Sequence, residues 1–390
     1  KKLNGLQIHV VADEPHLPYQ RPPLSKAFLT GDMEPERIYF RDAGYFDAAA
    51  VRVQTGRRAL SIDRAAKQLE LDDATALSYD VLVLATGARA RQLKLPGIGF
   101  SGVHALRSLS DAIALRALLG STPKRLVIIG GGYIGLELAA AARKLGSSAT
   151  VLEAADRVLA RVASPLIAQE LTDLHRRSGV EIRTQVQVCA IEGDGAVTAV
   201  ACADGMRIPA DIVIVGVGVI ANDDLASAAG LATDSGIVVD AACRTSDPAV
   251  FAAGDCACVY DERLGRHVRL ESVPNAIEQA NIIAAQLCGD AAPRPAAAWF
   301  WSDQYDARLQ MVGLATGYDR AVVRRYAGDT LSLAEFYLCD GKLVAAAVIN
   351  RPQDFMALRR ALSAPAAPVD ERALADATVP LAQATAAAVV

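Results

Sequence analysis

Arg125-Leu126-Val127-Ile128-Ile129-Gly130-Gly131-Gly132-Tyr133-Ile134-Gly135 reads as a strand running straight into a glycine turn and then into a helix over 134–145. An unbroken apolar run bounded by glycine is how a strand covered on both faces is written. The glycines fit G-x-G-x-x-G, a weak pattern by itself. Its context is stronger. The next strand, Ala149-Thr150-Val151-Leu152, ends at Glu153, twenty-three residues past Gly130, near the spacing of about twenty at which an acid meets a nucleotide ribose. Gly130 permits the tight turn, Gly132 lets the backbone approach a pyrophosphate, and Gly135 lets the helix lie close to its strand. The helix N-terminus, with Ile134 in its first turn, adds unpaired N–H groups and a partial positive charge for phosphates. An ordinary strand–turn–helix crossing with a solvated glutamate would not need all of these at once. The expected ligand is NAD(H), held by Gly130, Gly132, Ile134, Gly135 and Glu153. A carboxylate at 153 repels a 2′-phosphate, and Ala154 and Ala155 follow it. NADH is therefore expected over NADPH, with Arg157 the nearest feature pointing the other way.

Working outward, Leu6-Gln7-Ile8-His9-Val10-Val11 and Tyr79-Asp80-Val81-Leu82-Val83-Leu84-Ala85 read as further strands, the second as a buried parallel one. A helix is expected over 164–177 and an antiparallel meander over 186–202. Ile212-Val213-Ile214-Val215 and Val250-Phe251-Ala252-Ala253 each run into glycine. Strands alternating with helices imply an α/β architecture with parallel sheets. After Pro295 the character changes to alternating strands and glycine turns, a separate α+β domain. The Ala- and Pro-rich stretch 364–390 is expected to be partly ordered at best.

Bulk composition excludes several classes. With 40 basic against 44 acidic residues the net charge is −4, which leaves no electrostatic footprint for nucleic acid. No apolar run is long enough for a membrane helix. The 52 % apolar content supports a sizeable core across two or three domains. The seven cysteines include no CxxC or CxxxxC pair and no zinc-type cluster. They read as free thiols in a reducing cytoplasm. The five histidines and scattered acids form no hydrolytic constellation.

A second nucleotide is indicated by Leu82-Val83-Leu84-Ala85-Thr86-Gly87 and Val250-Phe251-Ala252-Ala253-Gly254-Asp255, strands that each end in small residues and a polar group. With these on the page the chain resembles the two-dinucleotide flavoprotein reductases. It is most similar to the putidaredoxin-reductase-like branch, the FAD-containing, NADH-dependent ferredoxin reductases that serve oxygenases. The resemblance is carried by Leu17-Pro18-Tyr19-Gln20-Arg21-Pro22-Pro23-Leu24-Ser25-Lys26, by Glu271-Ser272-Val273-Pro274-Asn275-Ala276, and by Trp299-Phe300-Trp301-Ser302-Asp303-Gln304-Tyr305-Asp306. It runs from about residue 6 to about residue 360.

That resemblance implies two Rossmann-like domains, for FAD and NAD, and a C-terminal α+β domain. The expected division is 1–106 with 223–294 for FAD, 107–222 for NAD, and 295–390 for the C-terminal domain. Asp13 should hold the FAD adenosine ribose, Ala59 should meet the adenine end through its backbone, and Arg21, Thr86 and Arg107 should contact FAD. Asp255 should take the ribityl chain, and the Val273 N–H the pyrimidine edge of the flavin. Each has a plainer reading: a turn acid for Asp13, a surface cation for Arg107, core for Val273. Asp255 has the fewest structural uses. The family carries another G-x-G-x-x-G upstream of the strand that begins here near Leu6, and this sequence has none there. The expectation is a missing N-terminal segment, because the downstream FAD residues would otherwise have little purpose. Such a gap would expose apolar sheet edges.

The implied chemistry passes a hydride from NADH to flavin and then single electrons onward; the cofactor carries it and the protein tunes it. Lys26 and Glu137 are the candidate catalytic pair. A cation beside the ring favours its anionic reduced form. Glu137 lies among Ile134, Leu136, Leu138 and alanines 139–142, so it should be buried with a partner. In relatives a Lys and a Glu at the matching positions pair near the flavin. Trp299 and Trp301 are evenly balanced between domain core and a wall over the flavin, Trp299 being the better candidate to approach it. The implied acceptor is a small acidic [2Fe–2S] ferredoxin, which in turn reduces a cytochrome P450 or a ring-hydroxylating dioxygenase. Arg308, Arg324, Arg325, Arg351, Arg359 and Arg360 are candidates for its docking patch. Rubredoxin reductase, NADH oxidase and an apoptosis-inducing-factor-like NADH-binding signalling protein remain open alternatives.

Overall fold

The structure, a computed structural model, describes residues 6–385 except 263, 292, 294, 295 and 329. The chain divides into two compact units, Lys1–Asp80 with Ala88–Ile220, and Val81–Gly87 with Ala221–Val390.

At the heart of the first unit is a five-stranded parallel sheet. Its spatial order is Glu181–Arg183, Ser148–Leu152, Arg125–Ile129, Ile212–Val215, Val103–His104. Leu126, Val127 and Ile128 are essentially inaccessible, as the unbroken apolar run requires. The helix Tyr133–Lys144 returns the chain to Ser148–Leu152 and buries Ala139 to Ala142. Alanines there let helix and sheet approach closely, and Arg143 and Lys144 in the last turn complement the helix dipole. The helix Pro165–Arg177 starts on Ser164, whose hydroxyl accepts the Ile167 N–H at 3.1 Å. The expected meander is present as Val188–Gly193, Val197–Cys202 and Arg207–Pro209, all antiparallel. Its inner face packs Val200, Cys202 and Ile208 onto Val127, Val213 and Val215. The same unit holds the strand Ile8–Ala12, which pairs in parallel with Val51–Thr55.

In the second unit Leu82–Leu84 pairs in parallel with Val250–Ala252. The expectation of a fully buried strand there is corrected. Leu84 is buried but Val83 is 42 % exposed, because the strand is short and its alternate side chains face opposite ways. Residues 299–349 form a five-stranded antiparallel sheet, ordered Trp299–Gln304, Ala307–Gly313, Lys342–Ile349, Leu333–Cys339, Arg320–Arg325. The helix Pro352–Leu362 closes one face through Phe355 and Leu358.

The reading of 364–390 as partly ordered at best is also corrected for its described part, residues 364–385. The helices Glu371–Ala375 and Leu381–Ala384 insert Leu374, Leu381 and Ala384 into the C-terminal core. The alanine-rich composition hid this, because three well-spaced apolar side chains suffice to dock two single turns. Residues 386–390 lie outside the described residues.

Candidate functional site

The glycine loop lies at the carboxyl end of Arg125–Ile129, between strands that leave the sheet centre in opposite directions, Ser148–Leu152 on one side and Ile212–Val215 on the other. A reversal of that kind opens a crevice in which α/β sheets bind ligands. Gly130 has φ +112°, and a Cβ there would sit 2.3 Å from the Gly216 carbonyl oxygen. A Cβ on Gly135 would come within 2.3 Å of the Gly130 oxygen. These two glycines serve the fold. Gly132 differs: a Cβ there meets nothing within 4 Å. The open space lies at the N-cap of Tyr133–Lys144, where a pyrophosphate is received. Ile134, in the first turn, leaves its side chain 40 % exposed. The loop therefore fits NAD.

Glu153 is fixed before any nucleotide arrives. Its Oε2 accepts the Gly131 N–H at 2.7 Å and its Oε1 accepts the Ala155 N–H at 2.8 Å. Each carboxylate oxygen keeps a further lone pair for a ribose hydroxyl. Gly131 is a functional residue the motif treats as a free position. Its N–H holds Glu153, and a Cβ there would crowd Val158 at 2.8 Å and Glu153 at 3.1 Å.

One turn further along the helix, Glu137 is 5 % exposed. Its Oε1 lies 2.8 Å from Lys26 Nζ, and its Oε2 accepts the Ser25 hydroxyl at 2.5 Å. Lys26 is brought there by the turn Pro22–Ser25, which breaks at Lys26 before the short helix Ala27–Thr30. Two residues beside this pair escaped the sequence reading. Ser25 gave no signal, since its partner stands 112 positions away. Tyr133 lies one turn before Glu137, and burial, with the Glu137 charge adding to it, pushes its phenol well above the ordinary value. It stays protonated.

Arg21 and Arg107 are brought together: Arg21 donates to the Arg107 carbonyl at 2.8 Å and to Glu14 at 2.6 Å, and Arg107 Nε donates to the Ala88 carbonyl at 2.8 Å. Tyr19 completes the cluster, donating to Glu14 at 2.6 Å and accepting the Leu109 N–H at 2.9 Å. Burial raises the Glu14 carboxyl, but the hydrogen bonds from Tyr19 and Arg21 outweigh it and hold the group below the usual range. Asp13 is exposed, 3.2 Å from Arg58. Ala59 opens the strand Ala59–Asp63, opposite Leu71.

In the second unit Thr86 and Asn222 interlock: Thr86 Oγ1 donates to the Asn222 carbonyl at 2.5 Å, and Asn222 Nδ2 to the Thr86 carbonyl at 2.8 Å. Gly254, at φ +79°, donates its N–H to Gln279 at 2.7 Å and so ties the Gly254–Asp255 turn to the helix Val273–Cys288. Val273 opens that helix behind Ser272, whose hydroxyl accepts the Asn275 N–H at 3.3 Å. A half-buried carboxylate and a helix N-terminus held in one frame fit the ribityl and pyrimidine parts of a flavin. Trp299 lies between Trp301 at 5.5 Å and Phe355 at 5.3 Å, partly buried on the C-terminal core, with the Arg359 guanidinium 5.3 Å from its ring.

One docking candidate is corrected. Arg324 is 2 % exposed and spends its guanidinium on the carbonyls of Ala373, Leu374 and Val379. Arg351 is committed to Asp354 at 2.8 Å and lies 3.8 Å from the Tyr326 ring centroid.

A glycine loop at the switch point of a parallel sheet, with a braced glutamate beside it, fits the class of α/β dinucleotide-binding proteins. The chain belongs to the pyridine nucleotide-disulphide oxidoreductase family, whose pattern matches residues 1–280, and a reductase C-terminal domain matches 299–385. Putidaredoxin reductase of Pseudomonas putida is 45 % identical over 387 residues, covering 98 % of this chain and 91 % of its own. Rhodocoxin reductase of Rhodococcus erythropolis is 44 % identical, covering 91 % and 83 %. The crystal structure of the covalent putidaredoxin reductase–putidaredoxin complex matches at TM-score 0.93 with 44 % identity, over 97 % of this chain and 93 % of that one. The two-dinucleotide flavoprotein fold is thus the fold of this chain, and its cofactors are FAD and NAD(H). All seven cysteines are free thiols, among them Cys256 and Cys258. Among the described residues no helix is long and apolar enough to cross a membrane.

Proposed function

We propose that this chain is an NADH:ferredoxin oxidoreductase that supplies single electrons to a [2Fe–2S] ferredoxin serving a cytochrome P450 or a ring-hydroxylating dioxygenase. FAD, when bound, accepts a hydride from nicotinamide and releases the two electrons one at a time. The chain's own residues do the rest. Gly130, Gly132, Ile134 and Gly135 receive the NAD pyrophosphate, and Glu153 takes the adenosine ribose. Asp13, Arg21, Ala59, Thr86, Arg107, Asp255 and Val273 hold FAD, and Trp299 walls the site. Lys26 places a positive charge at the flavin, and Glu137 holds Lys26. In this reading 1–106 with 223–294 serves FAD, 107–222 serves NAD, and 295–390 forms the C-terminal domain. The protein works in the cytoplasm, a placement supported by its free thiols.

The observation that carries the reading is the position of Glu137. It stands one turn along the helix that opens at the NAD loop, buried and paired with Lys26, so one element serves both the donor site and the flavin. Supporting it, no CxxC or CxxxxC pair exists to take electrons from flavin to sulfur. The test is NADH-driven cytochrome c reduction with and without an added [2Fe–2S] ferredoxin. Turnover that needs ferredoxin supports the reading. Rapid peroxide formation without it favours an NADH oxidase, and slow turnover with a long-lived charge-transfer band favours a signalling role.

A further inference from the structure

Ser25 and Lys26 are neighbours in sequence, yet both reach one buried carboxylate from opposite oxygens. Ser25 Oγ donates to Glu137 Oε2 at 2.5 Å, and Lys26 Nζ lies 2.8 Å from Oε1. Consecutive side chains on a helix diverge by about 100°. Here the turn Pro22–Ser25 ends and the helix Ala27–Thr30 begins, with Lys26 between them at φ −127°, ψ −117°. That non-helical residue turns both side chains to the same target.

We propose that Ser25 is a positioning residue for the Lys26–Glu137 pair, its hydroxyl locking the carboxylate so that Oε1 faces the ammonium. The terminal torsion of a glutamate is broad and roughly two-fold, so nothing in the side chain itself fixes its roll. A donor on one oxygen does. Ser25 is 5 % exposed, like Glu137, so its hydroxyl acts on the carboxylate with little competition from solvent. A hydrogen bond to a charged group is among the stronger ones a protein makes, enough to choose between two carboxylate orientations. The inference rests on the reading of Lys26 as the residue that sets the charge at the flavin.

The test compares FAD-loaded wild type with Ser25→Ala, Glu137→Gln and the double variant. Stopped-flow mixing with NADH separates the limiting rate of flavin reduction from NADH affinity, and dye equilibration gives the midpoint potential. Ser25→Ala is expected to lower the limiting rate by about 5- to 10-fold, leave NADH affinity unchanged and make the potential more negative. In the Glu137→Gln background it should add nothing, because the group it orients is gone. A second readout needs no nucleotide: acylation of Lys26 by limiting acetic anhydride, followed by peptide mass spectrometry. Lys26 should label several-fold faster in Ser25→Ala than in wild type. Unchanged labelling, or a loss of rate that repeats in the Glu137→Gln background, overturns the role of Ser25. Faster labelling in a protein whose flavin NADH does not reduce leaves Ser25 its role and removes the ferredoxin-reductase reading instead.

Discussion

Glu153 Oε2 accepts the Gly131 N–H at 2.7 Å, so the acid after one strand is braced by the glycine turn after its neighbour. In the proposed NAD site a carboxylate held this way would meet ribose hydroxyls without first losing side-chain freedom, and a 2′-phosphate as a fixed like charge. Glu153→Gln keeps the shape and removes the charge. The expected outcome is a kcat/KM for NADH lower by about tenfold, from one weakened charge-assisted contact, and a smaller gap between NADH and NADPH. Steady-state kinetics with both nucleotides checks this. A wild-type preference for NADPH would sink the assignment.

Lys26→Met leaves Glu137 buried with its ammonium gone. Breaking a buried pair from one side costs about 3 kcal/mol, and the Ser25 hydroxyl offsets only part of that. The variant should melt lower and reduce its flavin more slowly. Lys26→Met combined with Glu137→Leu should recover most of the melting temperature but none of the reduction rate. Thermal melts beside stopped-flow reduction separate the two effects, and recovery of both together would deny Lys26 any tuning role.

The NAD half of this architecture was legible because its constraints are local. A buried strand, Gly130, Gly135 and Glu153 lie within one βαβ unit, and Gly135 answers to the Gly130 carbonyl in the same turn, although Gly130 itself answers to Gly216 at the end of the neighbouring strand. Glu137 was legible too, since an acid among alanines and leucines announces that it needs a partner. What escaped depends on distant pairing. Ser25 looks like any turn serine until the helix bearing Glu137 is laid against it. Arg324 looked like surface charge because guanidinium groups are seldom buried, and its acceptors, three carbonyls near the end of the chain, carry no sequence signature at all. The tail 364–385 failed for the matching reason: its order comes from that arginine and from three apolar side chains rather than from composition.

Arg324→Met should therefore act on the C-terminal helices. Nε donates to the Leu374 carbonyl at 2.6 Å, Nη2 to Ala373 at 2.5 Å and Nη1 to Val379 at 3.0 Å. Losing these donors leaves carbonyls that only partial unfolding returns to water, at a cost of about 3 kcal/mol. Limited proteolysis should cut between residues 364 and 380 faster than in wild type, while NADH affinity stays as it was. An unchanged cleavage rate would show that the apolar contacts alone hold the tail.

Tyr326 provides a pH signature in the same domain. Its hydroxyl donates to Asp354 Oδ2 at 2.6 Å, and burial, followed by that bond, pushes the phenol up to about 12 from an ordinary 10.0. A raised phenol favours the fold fully below pH 10, where both states are neutral. The advantage drains away as pH climbs from 10 toward 12, because the unfolded chain ionises first. For a half-buried ring the loss is about 1 kcal/mol. Tyr326→Phe has no proton to lose, so its denaturant midpoint should fall less steeply than that of wild type between pH 10 and 12. The two slopes would be identical if Asp354 and Arg351 held this corner without help from the phenol.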